Sequence, residues 1–472
     1  MAGNRPDLLT GPVGKTLLQL ALPMLLGVLS IVAFNLVDTY FVGRLGPDQL
    51  AAVGFTFPVI SLVGSIAQGL GIGVTSVVAA SMGQGQRERA AHETADSLLL
   101  GVLVVAVVSG IGYLTIDPLF TALGATATTL PYIREYMSVW YVAVVFLIVP
   151  MVGNSAIRAT GDTKTPSYIM GAAVVVNLAL DPLLIFGWGP VPALGLRGAA
   201  LATAISRALT FALAFYVLRY RLDLIRKPRS WTAFLGCIRT VANVAVPAGA
   251  ARAINPLGIG TLTGMLAAYG AAAVAGYGVG SRIEILALTF IIALSTVVGP
   301  FVGQNYGAGN WDRIREARKL AFRFSLVCGL VIAAPLFLFA EPIGGLFTED
   351  PEVLAVTVIF LRTVPISYTL LGITLITATI LNSIQRPWPA AALSVMQMFA
   401  LLVPLAYLGG QWRGVEGMLM GVAAAYCIAG GINWFWVRRE IARAGARGQG
   451  EIKNHNSVIA PLEPQHEMRE LS

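Results

Sequence analysis

The chain has 472 residues, of which 56% are hydrophobic and only 12% are charged, and its mean hydropathy is +0.75. A water-soluble protein of this size could not bury uninterrupted apolar runs of the length found here, so composition excludes a soluble globular fold. The net charge of +8 does not indicate nucleic-acid binding, because the basic residues are concentrated in alternate loops.

Long apolar runs recur twelve times, six in each half of the chain. The first extends from Thr16 to Gly43 and the last covers 416–437. Each is long enough for a helix, which needs about 20 mostly apolar residues to cross a bilayer. The runs do not alternate apolar and polar residues as the strands of a membrane β-barrel do. We therefore expect an all-α integral membrane protein with twelve transmembrane helices.

The basic loops predict the orientation of the chain. Most arginines and lysines lie in 219–239, 311–323 and 438–447, whereas the intervening loops hold single basic residues or acidic ones. Basic loops stay on the cytoplasmic side, so we expect both termini in the cytoplasm and the chain in the lipid of the cell (inner or plasma) membrane. The tail 441–472 is polar and lacks periodicity, which predicts disorder.

A shift of 224 residues superimposes the second half on the first, so that Pro23 falls on Pro247. Six spans per half is an even number, so both halves enter the membrane in the same orientation, related by an axis along the membrane normal. We expect an N-lobe at 1–218 and a C-lobe at 240–440, joined by the basic cytoplasmic loop 219–239. Two lobes facing a central cavity are the geometry that transport by alternating access needs.

Two acids inside the spans have no counterpart in the other half. Asp38 falls on Leu262 and Asp181 falls on Val403. A charged carboxylate at mid-membrane costs about 2.5–3.5 kcal/mol, so an intramembrane acid indicates function. At 1.5 Å of rise per residue, both acids lie about 9 Å below the outer end of their helices. A shared site in the N-lobe is the expectation.

Oxygen-bearing side chains lie near both acids. Asn177 is four residues before Asp181 and shares its helix face, and Thr203 of the sixth span lies at similar depth. We expect a cluster suited to Na⁺ or to a shared proton, formed by Asp38, Asn177, Asp181 and Thr203. The alternatives are separately solvated aspartates and, for Asn177 and Thr203, hydrogen bonds between packed helices. Pro23 lies upstream of Asp38, and a bend there would move that acid.

A third acid, Glu284, lies in the eighth span. It either neutralises Arg252 or Arg282, or lines the C-lobe half of the cavity and attracts cationic substrate. Arg252 leaves a similar choice open.

Five motifs carry a family resemblance: NLVDTYFVGRLG at 35–46, RATGDTKTP at 158–166, NLALDPLLIFG at 177–187, SRIEILAL at 281–288 and FVGQNYGAGNWDRIREA at 301–317. They resemble the multidrug and toxic compound extrusion (MATE) family. The N-lobe acid pair with its asparagine is similar to the DNA-damage-inducible F branch. The seventh span has Asn255 eight residues after Pro247, where the norfloxacin branch has a glutamate.

The resemblance implies twelve helices in two lobes, and export of small amphipathic, often cationic organic compounds in exchange for H⁺ or Na⁺. It also implies a monomeric protein without a cofactor. The residue roles that it implies are a cation site at Asp38, Asn177, Asp181 and Thr203, an N-lobe cavity lined by Tyr136 and Asn154, and a first helix that bends at Pro23.

Two other functions are alternatives to export. A lipid-linked oligosaccharide flippase of the same superfamily needs a strongly cationic cavity, and Arg252 and Arg282 are the obvious basic candidates. A membrane enzyme needs a catalytic cluster such as histidines and carboxylates at metal spacing. The three histidines are isolated from one another, and the three cysteines predict neither disulfide nor metal site. We therefore expect no enzyme activity.

Overall fold

The computed structural model describes the backbone of residues 7–226 and 230–458, and the side chains of these ranges except 36, 47, 48, 50 and 447–458. The described chain is almost entirely helical. The helices of its first half are α1 (Val13–Gly43), α2 (Pro47–Gly83), α3 (Arg87–Leu114), α4 (Ile116–Ala122), α5 (Leu130–Ala143), α6 (Val145–Ala159), α7 (Lys164–Phe186) and α8 (Gly195–Tyr216).

The second half repeats this organisation. Its helices are α9 (Trp231–Ala267), α10 (Ala271–Gly307), α11 (Trp311–Leu338), α12 (Ala340–Gly345), α13 (Pro351–Thr363), α14 (Tyr368–Ser383), α15 (Pro387–Val395) and α16 (Val403–Val458). A π-helical turn extends α8 to Arg221, and a second one at Met396–Leu402 joins α15 to α16.

Eleven helical stretches of the described chain are long and apolar enough to span a bilayer. The last of them, Pro387–Ala446, has 60 residues and would extend about 90 Å, roughly three times the hydrocarbon thickness. It is broken at Arg413 and Gly414, whose φ angles of −137° and 60° are not helical. This stretch therefore crosses twice, and the described chain has the twelve crossings that the sequence predicts.

The contact between α2 and α10 relates the two halves. A Cβ atom at Gly83 would overlap the carbonyl oxygen of Gln304, and one at Gly307 would overlap that of Ala80. Gly307 and Gln304 lie 224 residues after Gly83 and Ala80, so this is one contact made twice. Such reciprocity is what a two-fold axis between the lobes produces.

The lobes touch at one end of the bundle. This is the basic end, where α2 finishes and α3, α9 and α11 begin, and where the arginine-rich loops lie. A Cβ atom at Gly249 of α9 would lie 3.3 Å from the carbonyl oxygen of Ser65 of α2. Three turns farther out on the same two faces, Gly54 and Gly260 have no such neighbour within 4 Å in the described chain. A cleft between the lobes therefore opens away from the basic end.

Helix α1 follows the same pattern. Leu20, Met24 and Val28 are buried in one apolar cluster with Val297 and Phe301 of α10. No described residue of α1 beyond Val28 belongs to that cluster. The basic half of α1 thus packs against α10 of the second lobe as well as against the first lobe, and the described apolar contact with α10 ends at Val28.

The segment before α1 is held by the second lobe. Arg313 of α11 donates hydrogen bonds to the carbonyl oxygens of Leu8 and Thr10, at 3.1 and 2.7 Å. Hydrogen bonds from the Thr10 hydroxyl and the Leu9 amide hold the pKa of Asp7 below its usual value. The start of α1 is therefore fixed, and any movement of this helix takes place farther along it.

Two predicted boundaries differ from the structure. The connection between lobes is shorter than 219–239, because helix reaches Arg221 and resumes at Trp231, whose following residues are apolar; 227–229 lie outside the described residues. The tail from 441, which we expect to be disordered, is helical in the structure as far as Val458, where α16 ends. The remaining 459–472 lie outside the described residues.

Candidate functional site

Small residues bring α1 and α7 together side by side. A Cβ atom at Gly27 of α1 would lie 3.3 Å from the Cα atom of Ser167 in α7, and one at Gly171 of α7 would lie 3.8 Å from the hydroxyl of Ser30 in α1. Residues about 140 apart in sequence therefore face each other across two parallel helices. This register places Asp38 opposite the turn of α7 that contains the second acid.

The predicted acids lie in one cluster. Asn177 Nδ2 donates a hydrogen bond to Asp181 Oδ1 at 3.1 Å, and neither side chain is exposed. Asp38 and Asp181 are close enough to interact electrostatically. Thr203 of α8, also buried, lies next to the Asp38 carboxylate. The structure thus brings together all four residues that the sequence suggests for a cation site.

Each of these four residues has a buried oxygen that lacks a hydrogen-bond partner in the described chain. The atoms are Asp38 Oδ1, Asn177 Oδ1, Asp181 Oδ2 and Thr203 Oγ1. Buried oxygens without partners are rare because each loses its contacts with water. Carboxylate, amide and hydroxyl oxygens suit a hard cation, and a proton on one carboxylate would equally provide a donor. The cluster fits either occupant.

Arg207 of α8 belongs to the same cluster, although it is not among the residues predicted from the sequence. It interacts electrostatically with Asp38, and its guanidinium carbon lies 5.3 Å from the ring centroid of Phe34 in α1. Its position four residues after Thr203, on the same helix face, was the available signal. With two ionised carboxylates and one arginine, the cluster has a net charge of −1.

The two residues expected to line the N-lobe cavity lie in different surroundings. Tyr136 of α5 is buried and lies within electrostatic range of Asp38 and Asp181. Asn154 of α6 is also buried, with Oδ1 unpartnered, but no described contact joins it to the aspartates. The structure therefore adds Tyr136 to the cluster and does not add Asn154.

Pro23 lies inside α1, between the fixed start of the helix and Asp38. Proline has no N–H, so the carbonyl of Gln19 loses its usual donor within the helix. One turn away, the carbonyl of Leu20 accepts a hydrogen bond of 3.0 Å from the hydroxyl of Thr163. Asp38 is about 22 Å along the helix axis from Pro23, so a small bend at the proline displaces the acid by several ångströms.

In the C-lobe, Glu284 of α10 makes no ion pair with Arg252 or Arg282, all three of which are described. The hydroxyl of a fully buried tyrosine lies next to its carboxylate, and two further tyrosines interact with it electrostatically. The three are Tyr368, Tyr277 and Tyr426. Of the two predicted environments, the structure excludes direct neutralisation by either arginine and leaves Glu284 among aromatic rings.

Comparison with known proteins agrees with this architecture. The MatE family model matches residues 23–183 and 247–408, which together exceed half of the chain, and the two matches begin 224 residues apart. The chain is 38% identical to the FAD transporter of Shewanella oneidensis, over 92% of this chain and 97% of that protein. It is 25% identical to the multidrug export protein MepA of Staphylococcus aureus, over 88% and 91%.

A solved structure has the same fold. The crystal structure of the Vibrio cholerae MATE transporter VcmN in the bent form matches with a TM-score of 0.87 at 31% identity, covering 92% of this chain and 98% of that one. The family match occurs once in each lobe, as the internal repeat requires. The chain therefore belongs to the MATE family of multi-pass membrane transporters and is not an enzyme.

Proposed function

We propose that this MATE efflux transporter is a secondary active antiporter, which exports small organic compounds by alternating access in exchange for H⁺ or Na⁺. The observation that carries the proposal is the charge of the N-lobe cluster. Asp38, Asp181 and Arg207 sum to −1 when all are ionised, and four oxygens around them have no partner in the described chain. One proton or one Na⁺ would balance this charge and fill the missing contacts.

The orientation follows from the basic loops. We place the basic end and both termini in the cytoplasm, and the chain in the inner or plasma membrane as a monomer surrounded by lipid. The lobes touch at the basic end and separate at the other, so the cleft opens to the outside. A cation from outside then reaches Asp38 and Asp181 about 9 Å below the outer helix ends.

Cation binding is coupled to conformation through α1. Without a cation, the two carboxylates repel each other; with one, they are drawn together. The start of α1 is fixed by Arg313, so the movement is taken up at Pro23, where the helix has lost a hydrogen bond. Bending of the outer half narrows the N-lobe cavity beside Tyr136 and Asn154 and displaces a bound substrate.

Amphipathic, often cationic organic compounds are the first candidate substrates. Glu284 provides a negative charge, and the tyrosines near it provide aromatic faces, both of which attract organic cations. The relative MepA is named a multidrug export protein. Binding by aromatic and apolar surfaces with one charge is loose enough to accept many such compounds.

A flavin dinucleotide is the second candidate substrate. One observation favours it: the relative named FAD transporter shares 38% identity over nearly its whole length, whereas MepA shares 25%. FAD is an anion with a large aromatic ring system, so it would use the tyrosines but not the charge of Glu284. The lipid-linked oligosaccharide flippase has less support, because Arg252 and Arg282 do not make a strongly cationic cavity.

Ethidium efflux from proteoliposomes tests the antiport, with pH and Na⁺ gradients imposed separately. The wild-type protein is expected to export dye under at least one gradient. Asp38→Asn keeps the shape of the side chain but removes its charge, so efflux should fall to the rate of protein-free vesicles.

Asp117→Asn is the matched control, because it makes the same change in an exposed acid that pairs with Arg134 at 2.6 Å. This variant should export dye at the wild-type rate. Gradient-driven export by Asp38→Asn at the wild-type rate would falsify the proposed coupling.

A further inference from the structure

Arg252 of α9 is a charged group that the proposed antiport cycle does not use. It lies fifteen residues before Ala267, so it is about 22 Å below the outer end of its helix. A charge at this depth is costly unless it faces water, a counter-charge or a ligand.

The described chain provides no counter-charge. No hydrogen bond, ion pair or ring contact joins Arg252 to another described residue, and no charged group of the described chain acts on it. Two other arginines within the spans do have partners: Arg207 lies over the Phe34 ring, and Arg158 donates to Ser155 Oγ at 2.7 Å. The nitrogens of Arg252 are not among the fully enclosed unpartnered polar atoms, and the residue is partly exposed.

The position of Arg252 on α9 directs it into the cleft. Ala245 and Gly249 lie on the face of α9 that contacts α2, and Arg252 follows them at the spacing of one helix face. The close contact ends at Gly249 and Ser65, and Gly260 farther out has no neighbour within 4 Å in the described chain. Arg252 therefore lies one turn beyond the closed seam, at the floor of the cleft.

We propose that Arg252 binds a phosphate-type oxyanion of an organic ligand that enters this cleft. A guanidinium presents two parallel N–H groups to such an anion, with a geometry that lysine cannot reproduce. This inference rests on the proposed export function and names a substrate class for it.

Two sources offer the same oxyanion: a soluble organic phosphate and the headgroup of an anionic phospholipid. The binding measurement uses protein in nanodiscs of phosphatidylcholine, with adenosine diphosphate as the soluble probe in calorimetric titration. Arg252→Gln should weaken binding by about tenfold or more, because it removes a charge-assisted pair of hydrogen bonds. The affinity of Arg252→Lys for adenosine diphosphate should lie between those of the wild type and Arg252→Gln, because lysine keeps the charge and loses the paired hydrogen bonds.

Arg197→Gln is the matched control, because it removes the same charge from an exposed arginine of α8. Its affinity for adenosine diphosphate should equal that of the wild type. Melting temperatures of all variants, measured by size-exclusion chromatography after heating, show whether each is folded.

A second set of nanodiscs contains phosphatidylglycerol. Native mass spectrometry counts the molecules of this lipid that stay bound, and a lower count in Arg252→Gln than in the wild type assigns the site to a lipid headgroup. Adenosine diphosphate binding that persists in these discs assigns it to a soluble ligand.

Equal affinity of the wild type and Arg252→Gln for adenosine diphosphate, with equal lipid retention, overturns the anion site. So does the absence of binding by both probes. If dye efflux still depends on Asp38, either result rejects the anion site and leaves the proposed antiport standing. Efflux that is independent of Asp38 instead rejects the antiport and leaves the binding result unaffected.

Discussion

The two lobes have the same scaffold but differ in what occupies equivalent positions. Asp38 and Asp181 of the N-lobe correspond to Leu262 and Val403 of the C-lobe. Leu262 is buried, and both C-lobe residues pack in an apolar cluster with Met398. One lobe therefore has buried oxygens without partners where the other has packed methyl groups. The duplication kept the helix geometry and provided the ionisable site in one copy.

The contacts between the lobes, in contrast, use both copies equally. Gly83 and Gly307 make the same backbone contact, each with the other lobe. The contacts between the lobes and the N-lobe cluster therefore have different roles. The symmetric glycine contacts join two similar bodies, and in the proposed antiport the asymmetric cluster links their movement to one ion.

The largest expected effect tests whether the acids of the N-lobe differ in role from their apolar counterparts in the C-lobe. Asp181→Asn should abolish gradient-driven dye efflux, because the cluster then has no uncompensated negative charge for a cation to balance. Val403→Asn places the same amide at the C-lobe counterpart and should leave coupling intact. Efflux from proteoliposomes measures both, and loss of coupling in Val403→Asn alone would reverse our assignment of the lobes.

An acid transplanted into the second lobe should be strongly destabilising. Leu262→Asp buries a carboxylate among apolar side chains without a partner, at a cost on the order of 3 kcal/mol. The melting temperature, measured by size-exclusion chromatography after heating, should fall well below that of Leu262→Asn. Equal melting temperatures would show that the C-lobe position is hydrated.

Arg207 sets the charge of the N-lobe cluster, so its removal should change the stoichiometry. Arg207→Gln leaves two carboxylates without an internal counter-charge, and the cluster should then take up one more proton or Na⁺ per cycle. The reversal potential of transport in vesicles measures the charge moved. Identical reversal potentials in this variant and the wild type would exclude Arg207 from the charge balance.

The smallest expected effect distinguishes coupling to Na⁺ from coupling to H⁺. Thr203→Val removes one oxygen while keeping the shape of the side chain, so Na⁺ affinity should fall about fivefold. Proton-coupled efflux should change little, because a proton needs one carboxylate and no coordination shell. Apparent affinities come from efflux rates at graded Na⁺ concentration and at graded pH; a shift only in the pH series would contradict a hydroxyl ligand.

Part of the site is accessible to sequence reasoning, because charge is so costly in a membrane that every buried acid stands out. Asp38 and Asp181 are recognised in this way, and Asn177 follows from its spacing to Asp181. Arg207 was missed because the register between α8 and α1 depends on packing. The surroundings of Glu284 depend on packing for the same reason, since Tyr368 and Tyr426 come from α14 and α16, which are far from α10 in sequence.

The sequence by itself determines the membrane class, the twelve crossings and the duplication, because these depend on local hydropathy and on a repeat visible at one fixed shift. It also shows which charged residues lie inside the spans, where the free-energy cost of a charge indicates a function. Only the tertiary structure decided that the lobes meet at the basic end, that four oxygens lack partners and that Arg252 lies at the floor of the cleft. These features depend on how closely glycines let helices approach, and the distance between two helices is a property of neither one alone.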